Sequence, residues 1–596
     1  MHAPSNRPLL ALCAVTAALA GPVAVSGATE RPYRHDPQPT AVGSGGAATT
    51  VDGVATRAAI RTLRQGGNAV DATVAAAAVL GVTEPFSCGI GGGGFMLVRE
   101  PDGEITSFDS RETAPAAMKP DAFLEGGTAI AFNDARYSGL SAGVPGTVAG
   151  WDEALERHGT LSLREAVRPA IDVARRGFAI DQTFFSQVQG NVPFFKDVPS
   201  SRDLYLDPDG TPRDVGTVQR NPDLARTYRA IARDGKRAFY RGEVAQDIVA
   251  AVRTPPVAGA TRTWRPGVMT LRDLRSYDAV EREPTRTSYR GLEVYSMGPP
   301  SSGGTTVGEA LNVLEGYELG ALSRTDALHR FLEASRFSFA DRNAFVADPA
   351  YYDVPVAGLL SKDFAATRRA LIDPARAATS PVAPGDPRAF DTGAGAGAGQ
   401  VAASVTRAGT TTHLTVSDRD GQVVSYTFTI ESTGGNGIVV PRRGFLLNNE
   451  LTDFNYDSTT HPNRVEGGKR PRSSIAPTIV DRDGKPFLAL GSPGGSTIIT
   501  TVLQVLVERV DLGRTLPEAV AAPRASQRNT AAVSAEAAFV DSPEGRALAA
   551  LGHTFAAPAE IGAVTGLEFL GDGRVLAAAE PVRRGGGSAR VIFGGD

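Results

Sequence analysis

Threonine is crowded at one point of this 596-residue chain: Ala408 to Asp418 reads AGTTTHLTVSD. A hydroxyl is a weak nucleophile until a base takes its proton. A threonine that begins a new chain carries that base itself, because an α-amine titrates near about 7.7–8 and is partly unprotonated at neutral pH. A cut just before one of these threonines would place nucleophile and base on one residue. Acyl transfer through that residue also needs backbone N–H groups aimed at the oxygen where negative charge develops. LALGSPGGSTIITTV offers such a place, with Gly494 and Gly495 between an apolar strand-like run and a helical one. By itself it is equally an ordinary strand–helix turn. It is not a phosphate loop, because the lysine of GxxxxGK[ST] is missing.

The elements that would position these groups can be read from periodicity. TTHLTVSDRDGQVVSYTFTI alternates with period two around a DRDG turn, which predicts two antiparallel strands. A hairpin turning at Asp418–Gln422 sets Thr411 opposite Thr429, within one residue of register. Opposed side chains in such a pair have Cβ atoms about 4.5–5.5 Å apart, so two hydroxyls could meet. Thr429 also suits a strand simply by being β-branched. Upstream, residues 373–410 are rich in Pro, Gly and Ala and include GAGAGAG, which predicts a flexible, exposed tail able to move aside after a cut. Helical spacing is evident at 51–66, in the all-apolar AVDATVAAAAVLGV, from about Val148, in SLREAVRPAIDVARR and in STIITTVLQVLVERV. GIGGGGFMLVRE, APTIV and FLALGS predict further strands.

Composition is 42% hydrophobic and 21% charged, with a formal net charge of −4. Length is compatible with several domains or one large unit. No basic stripe is present, which argues against nucleic acid as a partner. After Arg7 an apolar run extends from Leu9 to Ala20, too short to cross a bilayer core of about 30 Å. Residues 1–28 therefore predict a secretory signal peptide, cut near Ser26–Ala28, and a secreted protein, periplasmic or extracellular. No later run is long and apolar enough for a membrane span. Cys13 lies in that leader, so Cys88 has no partner for a disulfide, and the histidines show no metal-ligand spacing. No metal and no cofactor are expected.

Further motifs occur in order: GGNAVDA (66–72), GIGGGGFM (89–96), SRETAP (110–115), VPGTVAGW (144–151), GPPSSGG (298–304), TTH (411–413), NNELTDF (448–454), KRPRSSIAPT (469–478) and GSPGGS (491–496). With them the chain, from about Ala41 to Pro581, resembles the γ-glutamyltranspeptidase family of N-terminal-nucleophile hydrolases. The resemblance implies an α+β fold, a four-layer αββα sandwich made as a precursor. It implies cleavage of the Thr410–Thr411 bond into a large subunit (29–410) and a small catalytic subunit (411–596). Thr411 would be the nucleophile, Thr429 its hydroxyl partner, and Gly494 and Gly495 the oxyanion hole. Arg111, Ser473 and Ser474 would hold the α-carboxylate of a γ-glutamyl group; a guanidinium fork matches a carboxylate. Glu450 and Asp453 would take the α-ammonium. The donor would be glutathione or a related γ-glutamyl amide, with water, an amino acid or a peptide as acceptor.

Two departures stand out. Glu431 occupies a place where better-known members have asparagine, so three acids would surround one cation and raise at least one carboxyl pKa. The segment 455–468 between Phe454 and Lys469 is short, which predicts an open site. Both favour an alternative substrate class: glutaryl or cephalosporin side chains, or poly-γ-glutamate. A GxSxG match, GLSAG at 139–143, raises a serine-hydrolase alternative with Ser141 as nucleophile.

Overall fold

Apolar alternation and all-round apolar helices demand burial on both sides of a sheet, and the chain meets that demand with two large sheets. The computed structural model describes residues 1, 31–260, 262–391, 409–558 and 560–593. The expected signal peptide lies outside the described residues, apart from Met1. Those from Pro32 onward belong to one compact unit.

The strands of the two sheets are β1 (Thr40–Gly43), β2 (Ala47–Thr50), β3 (Gly93–Arg99), β4 (Ile105–Asp109), β5 (Val280–Arg282), β6 (Thr285–Tyr289), β7 (Leu292–Ser296), β8 (Thr411–Ser417), β9 (Val423–Thr429), β10 (Thr478–Arg482), β11 (Lys485–Gly491), β12 (Thr565–Phe569), β13 (Val575–Ala579) and β14 (Ser588–Val591). The first sheet runs β14-β2-β8-β9-β3-β4-β5 and the second β1-β13-β12-β11-β10-β7-β6. Neighbours are antiparallel throughout both sheets.

Helices α1 (Gly53–Arg64), α2 (Ala69–Thr83) and α3 (Thr147–His158) pack on the first sheet. The second is covered by α4 (Gly303–Leu314), with the long α5 (Arg324–Phe345) packed on it, by α6 (Thr497–Val510) and by α7 (Leu516–Ala521). Helix α2 has no polar stripe and is buried along its whole length, as its composition requires; Asn68 and Asp71 close a capping box at its start. SLREAVRPAIDVARR is not one helix but two, 163–166 and 168–176. Pro169, which cannot donate a backbone bond, sits in the first turn of the second.

The central hairpin is buried on both faces, and period two sorts its side chains. Leu414, Val416, Val424, Tyr426 and Phe428 join the core that contains α2. His413 and Ser425 face the other way, toward the second sheet. The Ser425 hydroxyl donates to the carbonyl of Leu490, 3.2 Å away. The His413 ring lies so close to Gly491 that a Cβ there would sit 2.4 Å from it, so only glycine fits. Arg99 of β3 reaches across the sheets to Asp481 of β10, at 2.9 Å.

The flexible tail expected from 373 is seen only in part. Residues 373–391 are laid against the fold: Ala378 N–H donates to Glu333 at 3.1 Å, Val382 N–H to Asn529 at 2.7 Å and Gly385 N–H to Asp341 at 2.5 Å. Backbone donors met by buried carboxylates and an amide hold this stretch together with a few apolar anchors, Val382 against the core of the second sheet and Phe390 against Phe364. The GAGAGAG repeat, within 392–408, lies outside the described residues.

Candidate active site

Strand β8 begins at Thr411 and β9 ends at Thr429, and the two residues are direct partners, as the hairpin spacing predicts. Both are almost fully buried. The Thr411 hydroxyl donates to Thr429 Oγ1 at 3.2 Å. Thr429 in turn donates to the carbonyl oxygen of Thr410 at 2.7 Å and accepts from the Glu431 N–H at 2.9 Å. The chain is continuous here, so the Thr429 hydroxyl sits on the carbonyl of the peptide bond that precedes Thr411. A donor on a carbonyl oxygen stabilises negative charge there when a neighbouring hydroxyl attacks the carbon. Arg584, in the left-handed region at φ 55°, donates from Nη1 to the Thr411 carbonyl at 2.7 Å.

Gly494 and Gly495 join β11 to α6, with φ of 134° and 58°. Gly495 lines the same cleft as Thr411 and Thr429. A Cβ built on Gly409 would come within 3.0 Å of the Gly495 Cα. The residues before Thr411 thus lie over the glycine turn. Thr497 N–H and Oγ1 both donate to the Gly494 carbonyl, at 3.2 and 2.8 Å, fixing the turn at the helix start.

The cleft brings together Arg111, Glu431, Glu450, Asp453, Ser473 and Ser474 with the threonines. Arg111 is buried and ion-paired with Glu450 and Asp453, the latter at 2.6 Å. Its remaining N–H groups meet the backbone carbonyls of Pro471 (3.2 Å) and Arg472 (3.3 Å). Neither of its sequence neighbours Glu112 and Asp109 is its ion-pair partner. Asp109 instead accepts from the Arg111 backbone N–H at 2.9 Å and pairs with Arg282 at 2.7 Å.

The carboxyl pKa values rise as expected, but the order of causes differs. Glu450 is pushed well above the ordinary range by burial, with Arg111 opposing and Glu112, Asp453 and then Glu431 adding to it. Glu112 is pushed up to about 7, again by burial first, with Arg111 opposing and its contact with Glu450 also lowering it. Glu431 stands apart from the Arg111 cluster: its carboxylate accepts from the Ser432 hydroxyl and the Asn449 amide, on a backbone held at φ 76°. All three acids nonetheless line the one cleft, Glu450 and Asp453 paired to Arg111 and Glu431 held by Ser432 and Asn449.

Ser141 of GLSAG is fully buried, its hydroxyl turned to the carbonyls of Arg136 (2.7 Å) and Ser138 (3.2 Å), and it does not line the cleft. Cys88 is buried and free. Among the described residues one group of metal-ligand types converges, His329, Glu333 and His553. The two imidazoles hydrogen-bond each other at 2.8 Å, and Glu333 pairs with Arg336 at 3.0 Å. No helix of the described residues is long and apolar enough to cross a membrane.

Sequence comparison agrees with this geometry. Residues 55–590 match the family described as gamma-glutamyltranspeptidase. The chain belongs to the γ-glutamyltranspeptidase family. It is 39% identical over 488 residues to the glutathione hydrolase proenzyme of Bacillus subtilis (strain 168), covering 81% of each chain. The glutathione hydrolase proenzyme of Escherichia coli (strain K12) is 36% identical over 498 residues, 80% of each. Among solved structures, cephalosporin acylase from Bacillus halodurans superposes with a TM-score of 0.81 at 27% identity, covering 94% of this chain and 98% of that one. That enzyme thus shares this mixed helix-and-sheet fold. Of the residues lining the cleft, sequence reasoning missed Arg342, on α5, and did not single out Arg472 although it stands inside KRPRSSIAPT; it also missed Arg584, which reaches the Thr411 carbonyl from a 3-10 turn. Glu112 stood inside a quoted motif, but nothing in SRETAP announces that its side chain is buried against Glu450.

Proposed function

We propose that this family enzyme is a secreted γ-glutamyl transferase/hydrolase that becomes active by cutting itself between Thr410 and Thr411. The observation that carries the proposal is the Thr429 hydroxyl lying 2.7 Å from the Thr410 carbonyl and within hydrogen-bond reach of the Thr411 hydroxyl. In the precursor, Thr411 Oγ1 attacks the Thr410 carbonyl carbon, the C–N bond breaks, and an ester forms on Thr411 while its nitrogen becomes an amine. Water then hydrolyses the ester. The large subunit would end at Thr410, the small one would begin at Thr411, and together they would make a four-layer αββα sandwich. Departure of residues 409–410 would uncover Gly494 and Gly495 as the oxyanion hole.

In the mature enzyme the Thr411 amine takes the hydroxyl proton, and Oγ1 attacks the γ-amide carbonyl of the donor. Gly494 and Gly495 hold the oxyanion, the amine leaving group departs with a proton, and water or a second amine releases the γ-glutamyl group. Ser473, Ser474 and Arg111 hold the α-carboxylate; Asp453, Glu450 and Glu431 face the α-ammonium. The likeness to the glutathione hydrolase proenzymes of Bacillus subtilis and Escherichia coli supports glutathione as the donor. The cephalosporin acylase likeness and the short 455–468 segment support a second reading, an open cleft that accepts glutaryl or longer acyl chains.

Mass spectrometry of the purified protein tests the central step: two fragments meeting at 410/411 are expected, and one chain in Thr411→Ala. Activity from an uncut chain would refute it. Relative kcat/KM on glutathione, a γ-glutamyl anilide and a glutaryl anilide decides between the two donor classes.

A further inference from the structure

Ser473 and Ser474 lie on the cleft wall, and one buried arginine stands behind both. Arg342, on α5, also lines the cleft and is 6% exposed. Its Nη2 donates to Ser474 Oγ at 2.6 Å, its Nε to Ser302 Oγ at 2.7 Å and its Nη1 to Asn343 Oδ1 at 2.9 Å. Ser302 passes the contact on, its hydroxyl donating to the Ser473 carbonyl at 2.6 Å and its N–H at 2.9 Å. Ser473 Oγ accepts the N–H of Ile475 at 3.1 Å.

A hydroxyl has one proton and two acceptor lone pairs, whereas a guanidinium can only donate. With an Arg342 N–H on its oxygen, Ser474 must turn its own proton elsewhere. Ser473 is constrained in the same way by Ile475. Both hydroxyls are thereby set as donors, which is what a carboxylate needs.

The charge is the second half of the case. Every hydrogen-bond partner of Arg342 is neutral, and no carboxylate of the described residues lies within 4.0 Å of it. Burying a cation without a counter-ion is costly, and such cations in proteins are ordinarily paired. Arg472 and Arg528 add positive charge nearby, and Asp453 is the acid close enough to be felt, so burial and its neighbours press the Arg342 guanidinium toward losing its proton. Arg111, by contrast, already has Glu450 and Asp453 as partners.

We propose that Arg342 is a positioning and specificity-determining residue: it orients the Ser473–Ser474 pair and supplies the uncompensated charge that selects donors with a carboxylate on the acyl side. This rests on the γ-glutamyl reading above and extends it, by moving the electrostatic demand for the carboxylate from Arg111 to Arg342. An incoming carboxylate meets two oriented hydroxyls and neutralises a buried cation in one step.

Three anilides separate the terms. The γ-glutamyl anilide has carboxylate and ammonium, the glutaryl anilide lacks the ammonium, and the 4-aminobutyryl anilide lacks the carboxylate. In Arg342→Gln, KM for the first two should rise tenfold to a hundredfold, with kcat within about threefold of wild type. The slow turnover of the 4-aminobutyryl anilide should not change. Arg342→Lys, which keeps charge but not the fork, should recover part of the KM loss. Both variants should still split at 410/411. Equal losses on all three probes, an unchanged KM, or failure of both variants to split would overturn the proposal. Failure of the wild-type enzyme to act on the γ-glutamyl anilide would instead refute the underlying donor assignment.

Discussion

Replacing Thr429 by valine removes one hydroxyl and little volume, at the point where the uncut chain is poised. That hydroxyl donates to the Thr410 carbonyl at 2.7 Å, receives the Thr411 proton at 3.2 Å and accepts the Glu431 N–H at 2.9 Å. Loss of one donor to a developing oxyanion costs about 2.7–4 kcal/mol, or about 10²–10³ in rate. The orphaned Glu431 N–H, on a nearly buried residue, costs a further ~1–3 kcal/mol of folded-state stability. Self-cleavage of Thr429→Val should therefore slow by two to three orders of magnitude, on a chain that still folds. The assay is a time course of purified precursor, with fragments quantified by mass spectrometry and folding checked by thermal melting. Thr429→Ser, which keeps the hydroxyl, should cleave within about tenfold of wild type. If the valine variant splits as fast as wild type, the contact is incidental and the precursor step drawn from it is wrong.

Gly494→Ala should lose at least a hundredfold in kcat, because a side chain at φ 134° is strained and its Cβ would lie 2.5 Å from Thr497 Oγ1; wild-type turnover in this variant would remove Gly494 from the oxyanion site. Arg584→Gln should lower kcat by about ten- to a hundredfold with KM kept, since the guanidinium holds the Thr411 carbonyl rather than the donor; a change in KM alone would contradict this. Burial holds the His413 pKa at about 3, below its ordinary 6.5, so the unfolded chain binds a proton there that the folded chain refuses. Relative to His413→Gln, wild-type stability should be unaffected above pH 6.5 and should fall by about 1.4 kcal/mol per pH unit below it, measured by denaturant unfolding of the two proteins in parallel; parallel pH curves would show that the imidazole is not held neutral.

Local patterns carried much of this site and long-range packing carried the rest. The DRDG turn and period-two alternation were enough to pair Thr411 with Thr429, because a hairpin's register follows from its turn. Gly494 and Gly495 were legible as a strand–helix turn for the same reason. Arg111 and its acids were legible as residue types, but their mutual pairing was not, since Arg111 and Asp453 meet across most of the chain. Helix 163–176 was over-extended by a periodicity that ignored Pro169. Segment 373–391 reads as structureless by composition, and its anchors are backbone N–H groups, which sequence does not display, with only isolated apolar contacts such as Val382 and Phe390. Arg342 stands in none of the ordered motifs; only its lack of an acidic neighbour, a property of the assembled structure, marks it.

The order of strands has a consequence for the cut proposed between Thr410 and Thr411. In the first sheet β14, β8 and β9, which follow residue 410, alternate with or abut β2 and β3, which precede it; in the second, β1 lies beside β13 and β7 beside β10. Two polypeptides woven in this way would share both large sheets, so neither would own a core that could survive alone. Dilution should leave them together, whereas once melted they would have to find each other by diffusion and reassemble without the tether that guided them the first time. Such a molecule gains an active centre at the cost of its ability to be rebuilt.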